Sequence, residues 1–265
     1  MIDIIREHRG FGNIIFKLAK VDLIKTYRGS ALGWSWAIIK PTVTILVYWF
    51  TFSVGLRSPS MVAGYPFFLW LIAGIVPWFY MSEMITQGVE SIRGYKHLVT
   101  KMNFPVSTIP TFVSLSKMFV NLCMIGIVIV IFILLGYYPD IYILQLPIYL
   151  LMSYVLFTSW ALFASPLAAI SKDFTNLVKA FVTPIFWLSG VIWDSSKVSN
   201  PLAEIFFRIN PVTYLTRGFR DTFIYKRWFF EDYKGLIVFC VITLIMFTLG
   251  VIIYKKLRKD IPDVL

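Results

Sequence analysis

Four stretches of this chain contain no Asp, Glu, Lys or Arg: residues 58–82, 118–139, 141–171 and 235–254, which are 25, 22, 31 and 20 residues long. A helix needs about 20 mainly apolar residues to cross a hydrocarbon core of roughly 30 Å, so each run predicts a membrane span. Two further stretches read the same way with one interruption each, 29–56 at Lys40 and 174–193 at Lys179. Both lysines fall near the expected membrane faces, where a long stem carries the ammonium back to water. The pattern predicts an all-α integral membrane protein of six transmembrane helices, near residues 36–56, 65–90, 107–136, 142–170, 174–193 and 235–255. Residues 1–35 then form an N-terminal tail and helix, 36–255 the membrane domain, and 256–265 a C-terminal tail.

The segments between the spans carry patterns of their own. In "NIIFKLAKVDLIKTYR" the cations Lys17, Lys20, Lys25 and Arg28 share about a 140° arc at 100° per residue, with Ile15, Phe16, Leu18, Ala19 and Leu23 on the other side. Val21 and Ile24 intrude on the basic arc. This predicts an amphipathic helix in the membrane interface. "RGSALGW" follows as a turn, placing Trp34 and Trp36 at headgroup depth before Pro41 opens the first span. Simple anchoring accounts for most of this; a gate built from Lys25, Tyr27, Arg28, Gly29, Trp34 and Trp36 is the sharper reading. Between the second and third spans, "SIRGYKHLVTKMNFP" holds a two-turn helix over 95–101, either a solvated basic loop or a peg that docks on a partner through Gly94, Tyr95, Lys96, His97, Leu98 and Lys101.

The connection 194–234 is too apolar for an exposed loop and too charged for a span. Non-helical backbone at membrane depth survives only when buried in protein or lining a wet cavity. Two short helices, 198–208 and 212–226, separated by "INP" predict a re-entrant hairpin, with Asn210 as cap and Pro211 at the first helical position. Tyr214, Arg217, Gly218, Arg220 and Asp221 then lie near its mouth, as a local Arg–Asp pair on a lipid-surface hairpin or as a gate whose cations meet an anionic substrate.

Composition sharpens the class. The chain is 58% hydrophobic and 15% charged with a mean hydropathy of +0.75, well below the charge of about 25% usual in soluble domains. Its net charge of +11 does not predict nucleic-acid binding, because the cations flank the spans. Sixteen Lys/Arg fall on the face that holds both termini, which predicts cytoplasmic termini by the positive-inside rule. The opposite connections hold Arg57 after the first span, Asp140 after the third, and a mixture of cations and five acids in 194–234. The start "MIDIIREHRGFG" lacks the apolar core and cleavage site of a signal peptide. Cys123 and Cys240 fall inside spans, and His8 and His97 are isolated, so neither a disulfide nor a metal site is expected.

The chain holds no GxxxxGK[ST] loop, no Ser–His–Asp constellation in a suitable context, and few intramembrane acids beyond Glu83 and Glu90. A transport role therefore needs an external energy source and no catalytic residue here. Aromatics make up 18% of the residues; Tyr48, Trp49, Trp70, Trp78, Tyr80, Trp160 and Trp187 are candidates for a wall that offers flat faces to sugar rings, with lipid-facing or packing roles as the alternative.

"KTYRGSALGWSWAIIKP" at 25–41, "FLWLIAGIVPWFY" at 68–80, "LVTKMNFPVSTIP" at 98–110, "INPVTYLTRGFRDTFIY" at 209–225 and the terminal "YKKLRKDIPDVL" together resemble the ABC-2 permease family, in its polysaccharide and teichoic acid export branch. The resemblance implies a homodimer over two copies of a separate cytoplasmic ATPase, which would bind ATP and Mg²⁺. It also implies a coupling helix at 95–101, an extracellular hairpin at 198–226 and a lipid-linked polymer as substrate. Wall teichoic acid is the expected cargo, with O-antigen or another lipid-linked polysaccharide as the alternative; a drug or small-lipid exporter of the same family and, more distantly, a proton-coupled carrier remain open.

Overall fold

A computed structural model describes residues 7–8, 10–55, 61–101, 104–195 and 198–265, without the side chains of Tyr27, Trp34 and Lys101. Arg6, Arg9 and Arg57, which entered the charge count, lie outside the described residues, as do the side chains of the gate candidates Tyr27 and Trp34 and of the docking candidate Lys101.

The described residues are mostly helical. An N-terminal helix α1 (Gly12–Tyr27) leads through a 3₁₀ turn at Gly33–Ser35 into α2 (Trp36–Phe50), which continues as a π-helical turn over Thr51–Gly55. A minimal β-hairpin pairs β1 (Met61–Val62) with β2 (Tyr65–Pro66) through Ala63 and Gly64, both at positive φ, as tight hairpin turns require. Then come α3 (Phe67–Gly94), α4 (Lys96–Lys101), α5 (Thr108–Leu134), a 3₁₀ turn (Ile141–Gln145), α6 (Leu146–Ile170) and α7 (Lys172–Leu188). The short α8 (Pro201–Ile209) and α9 (Pro211–Arg220) follow, with α9 extended by a π turn over Asp221–Tyr225, before α10 (Tyr233–Leu257) and α11 (Ile261–Val264).

Among the described residues five helical stretches are long and apolar enough to cross a membrane: Trp36–Gly55, Phe67–Thr100, Thr108–Leu134, Ile141–Ile170 and Tyr233–Leu257. They coincide with five of the six expected spans. The remaining expected span, 174–193, is the 17-residue α7, which stops at Leu188. Its end is dictated by Gly190 at φ +66°, a left-handed conformation that breaks the helix.

The helix α3 is the axis of the bundle. It is buried along most of its length and packs against α2, α5, α6, α7 and α9. A large core surrounds its N-terminal two-thirds, with Leu69, Leu71, Ile72, Ile75, Met81 and Met84 almost wholly enclosed. A second cluster gathers at the other end and joins Ile15 and Ala19 of α1, Ile92 of α3, Leu98 of α4, Phe112 of α5 and Ile261 of α11. The two termini of the chain therefore share one end of the bundle.

The helix α1 differs from the expected two-faced element. Ile15, Ala19 and Asp22 are buried against the bundle, whereas Phe16, Val21 and Ile24 are exposed together with the lysines. The apolar side splits because a strip of it packs on α5.

Close approach of α9 to α6 depends on Gly218, where a Cβ would stand 2.1 Å from Tyr149 Cε1. Gly218→Ala is expected to cost about 1–3 kcal/mol as an overpacked core site, measured as a lower midpoint in thermal or SDS-titrated unfolding. Gly126→Ala, with nothing within 4 Å of the new Cβ, should leave the midpoint unchanged or raise it, since helical Gly→Ala gains up to about 1 kcal/mol.

Candidate functional site

Two polar assemblies interrupt this apolar bundle, one at each end. At the end holding the termini, α1 carries a single acid, Asp22, and turns it inward. Asp22 Oδ1 accepts a hydrogen bond of 2.5 Å from the Tyr95 hydroxyl at the α3–α4 junction, and Oδ2 lies 4.0 Å from Nζ of Lys117, which is 4% exposed on α5. Lys117 also donates to Thr26 Oγ1 at 3.4 Å. Lys25 donates to the Gly94 carbonyl at 3.5 Å and sits 4.4 Å from the centroid of the Tyr95 ring. Ser107 donates to Glu7, Glu7 pairs with Arg258 of the C-terminal segment at 3.6 Å, and His8 hydrogen-bonds Thr111 at 2.9 Å. One network thus fastens α1, the α3–α4 corner, α5 and the chain terminus.

On α4, Leu98 and Val99 point into the cluster while Lys96, His97 and Thr100 are exposed. Gly94 is exposed at the corner, as are Arg28 and Gly29 beyond α1, and Trp36 is half-buried with its ring 5.9 Å from Lys40 Nζ. The expected peg is therefore a short helix with an apolar underside and a polar outer face. Lys179, expected to reach for water, is half-exposed and also pairs with Glu90 at 2.7 Å, tying α7 to α3.

At the other end the hairpin of α8 and α9 is built by one device used twice. Asn200 caps α8, accepting from Leu202 and Ala203 N–H at 2.9 and 3.3 Å. Asn210 caps α9, accepting from Val212 and Thr213 N–H at 3.0 and 3.4 Å. Pro201 and Pro211 occupy the first helical positions, where a missing N–H costs nothing. The capping of α9 is as expected; α8 starts at Pro201 instead of 198 because Asn200–Pro201 repeats the same signal.

The hairpin grips the truncated end of α7. Asn210 donates to Ser189 Oγ at 2.9 Å and Thr213 to the Ser189 carbonyl at 3.2 Å. Arg220, 3% exposed, donates to the carbonyls of Gly190 at 2.8 Å, Val191 at 2.5 Å and Trp70 at 3.5 Å, and its guanidinium lies 3.6 Å from the centroid of the Trp70 ring. Gly74 makes room for it, since a Cβ there would fall 2.4 Å from Arg220 Nη2. Burial pulls the guanidinium down to about 9, which still leaves it a cation at neutral pH. Arg220 is thus a clamp inside the subunit and not a cation offered to a substrate.

A cavity of about 480 Å³ opens beside the hairpin. Five carboxylates line it, from Asp194, Glu204, Asp221, Glu231 and Asp232, against three guanidinium groups, from Arg208, Arg217 and Arg227. Arg217 donates to Ser195 Oγ through Nε at 3.0 Å and Nη2 at 2.8 Å, and Arg208 pairs with Glu204 at 3.3 Å. Burial lowers Arg217 and pushes the Asp221 carboxyl up to about 6, against the opposing pull of Arg227 and Arg217 on Asp221. The lip is fixed by Gln145, which donates to the Arg227 carbonyl at 2.7 Å and accepts from Phe229 N–H at 2.8 Å, and by the Lys226–Asp140 pair at 2.9 Å.

The aromatic candidates divide. Trp70, Trp78 and Tyr80 are buried by the subunit's own helices. Trp70 donates to the Tyr225 hydroxyl at 3.0 Å, and Tyr80 hydrogen-bonds Ser114 at 2.8 Å. Tyr48 and Trp160 are half-buried; Trp49 and Trp187 are exposed, Trp187 by 50%. Sequence reasoning missed Asp22, Lys117 and Gln145. The available signal was charge isolation: Asp22 is the one acid in α1 and Lys117 the one cation in α5.

Residues 14–224 match the family profile described as ABC-2 type transporter. The chain belongs to that family. Among curated relatives this ABC-2 chain is 22% identical over 264 residues to an O-antigen export system permease protein, RfbA, of Myxococcus xanthus, covering 99% of each protein. It is 23% identical over 255 residues to an RfbA protein of the same description in Klebsiella pneumoniae, covering 96% of this chain and 95% of the relative. With its long apolar helices, family membership makes this a multi-pass membrane protein.

Two predictions follow from these polar assemblies. Arg220→Ala leaves the Gly190 and Val191 carbonyls without their charged donor and is expected to lower stability by about 3–5 kcal/mol, from two charge-assisted bonds. Arg220→Lys should fall between, since an ammonium lacks the planar fork; SDS-titrated unfolding of the purified chain measures both. At the other end, Asp22→Leu and Lys117→Met are each expected to cost about 3 kcal/mol by leaving a buried charge unpaired. The double variant should cost less than their sum, with hydrogen exchange of α1 amides as a second readout.

Proposed function

We propose that this chain is the permease subunit of an ABC exporter that carries a lipid-linked polysaccharide of O-antigen type from the cytoplasmic to the outer face of the plasma membrane. The observation that carries this reading is its similarity to O-antigen export permeases over essentially the whole length of both proteins. Two copies would form the pathway, over two copies of a separate ATPase that supplies ATP and Mg²⁺ chemistry; no residue of this chain is assigned a catalytic role. Exposed apolar residues along α2 and its π turn, including Val43, Val47, Phe50 and Val54, support a second subunit or lipid against that face. Tyr48, Trp49, Trp160 and Trp187 are the retained candidates for the path.

The topology reading is six crossings. The termini share one end of the bundle, and an even number of crossings is required to bring them there. The helix α7 supplies the sixth: 17 residues rise about 25 Å, at the short end of the spanning range. The α8–α9 hairpin must then enter and leave on one face, as a re-entrant element does. The lysine-rich end is assigned to the cytoplasm, with α1 in the interface as the gate element and the exposed face of α4 (Lys96, His97, Thr100) meeting the ATPase.

Wall teichoic acid is the second reading, favoured by the arginines of the 217–227 stretch. Arg220 is consumed inside the subunit and carboxylates outnumber arginines in the outer cavity, so the charge balance leans toward a neutral glycan. ATPase stimulation of the reconstituted permease–ATPase complex by lipid-linked precursors tests this. A neutral lipid-linked polysaccharide is expected to stimulate. Stimulation by lipid-linked poly(polyol phosphate) alone would establish the teichoic acid reading, and stimulation by neither would favour a small-lipid exporter.

A further inference from the structure

We propose that the outer cavity is a saccharide subsite, one within each subunit, that holds a short uncharged segment of the polymer by its hydroxyls and ring faces. The inference deepens the polysaccharide reading above and rests on it for the identity of the cargo. Its physical basis is the lining. A volume of about 480 Å³ lies within the usual range for ligand pockets, roughly 300–1,000 Å³. Rings of Tyr149, Tyr214, Tyr225, Trp228 and Phe229 form part of its wall, and flat apolar faces beside carboxylates and guanidiniums are what a sugar, apolar on its C–H face and polar at its rim, requires.

The charge distribution selects against other ligands. Carboxylates exceed arginines by five to three, and Arg208 and Arg217 are already engaged by Glu204 and Ser195. A phosphate or other polyanion would meet net repulsion. A divalent cation is no better served, because among the described residues no group of three His, Cys, Asp or Glu is placed to hold a metal ion. A neutral polyol can donate to the carboxylates and accept from the arginines at once, since each sugar hydroxyl does both.

A second observation is independent of charge. Tyr214 lines the cavity and is 9% exposed, yet its buried hydroxyl has no hydrogen-bond partner. Such a group costs about 1–3 kcal/mol when left unpaired. Nearby, the Tyr225 hydroxyl accepts from Trp70 Nε1 and keeps its own proton to donate. The Tyr225 hydroxyl can be completed by a ligand in the cavity; the Tyr214 hydroxyl, enclosed behind the wall, is completed only where binding turns its ring toward the cavity.

The experiment uses the full chain in lipid nanodiscs free of sugar detergents, titrated calorimetrically with linear mannohexaose, linear rhamnohexaose and a glycerol phosphate hexamer. Tyr214→Phe and Asp221→Asn remove no hydrogen bond present among the described residues, so both are expected to fold with unchanged unfolding midpoints. At least one neutral hexasaccharide should bind saturably to the wild type, and each variant should weaken that binding about tenfold. Absence of binding by both neutral probes, equal binding by the variants, or tighter binding of the glycerol phosphate hexamer would overturn the proposal. Export of lipid-linked polysaccharide by the reconstituted complex, followed in parallel, separates the two ideas. Export without hexasaccharide binding removes the subsite and leaves the function standing; variant-sensitive binding without export keeps a saccharide site and removes the function.

Discussion

The burial of one guanidinium governs how the hairpin end of this bundle is built. In a setting where water does not reach, every backbone carbonyl at a helix end needs a donor from the protein. The chain ends α7 early, at Leu188, and the turn at Gly190 leaves the carbonyls of Gly190 and Val191 pointing at the hairpin. Arg220 answers both, reaches the Trp70 carbonyl and stacks on the Trp70 ring. Positive charge near a helix C-terminus is also stabilised by the negative end of the macrodipole of α7. One side chain therefore joins α3, α7 and α9, and the gap at Gly74 exists for it. The α9 arm of the hairpin is consequently part of the core, whereas α8 lies exposed apart from Phe207.

The opposite end solves a related problem with paired charges. Helix α1 has too many exposed apolar residues and lysines to be held by hydrophobic contact alone, and only a narrow strip of it faces protein. Asp22, Tyr95, Lys25 and Lys117 supply directional contacts that fix its rotation and tie it to the α3–α4 corner. Because α3 runs from the Arg220 clamp at Trp70 to the Asp22 network at Tyr95, both polar assemblies are anchored to one helix. The α4 corner and the hairpin are thus connected through a single helix.

The spans were legible because bilayer crossing imposes a length and a composition that hydropathy reads directly. Five long helices stand where four charge-free runs and a fifth run broken only by Lys40 predict them, and Asn210–Pro211 announces the start of α9 through local chemistry that needs no tertiary context. What the sequence did not disclose is where a charge in an apolar setting finds its partner. Lys117 and Asp22 are 95 positions apart, Lys179 and Glu90 are 89 apart, and Arg220 is served by carbonyls, which leave no mark in a sequence at all. The same limit explains why Trp70, Trp78 and Tyr80 read as pathway candidates. An aromatic residue in a span looks alike whether it faces a lumen, a lipid or its own core.

That distinction bears on how charge is used toward cargo. An arginine-rich stretch before the last long helix suggests attraction of an anionic polymer when it is read as a string. In three dimensions its most buried cation holds helices together, a second is bonded to Ser195, and the cavity beside them carries more carboxylates than guanidiniums. Long-range attraction to a polyanion would be a poor property for an exit in any case, since a polymer held by many charges leaves slowly. On the saccharide reading proposed above, a wall of donors, acceptors and ring faces would give each sugar a weak, repeated hold, and a chain that advances by successive residues needs contacts that are easily exchanged.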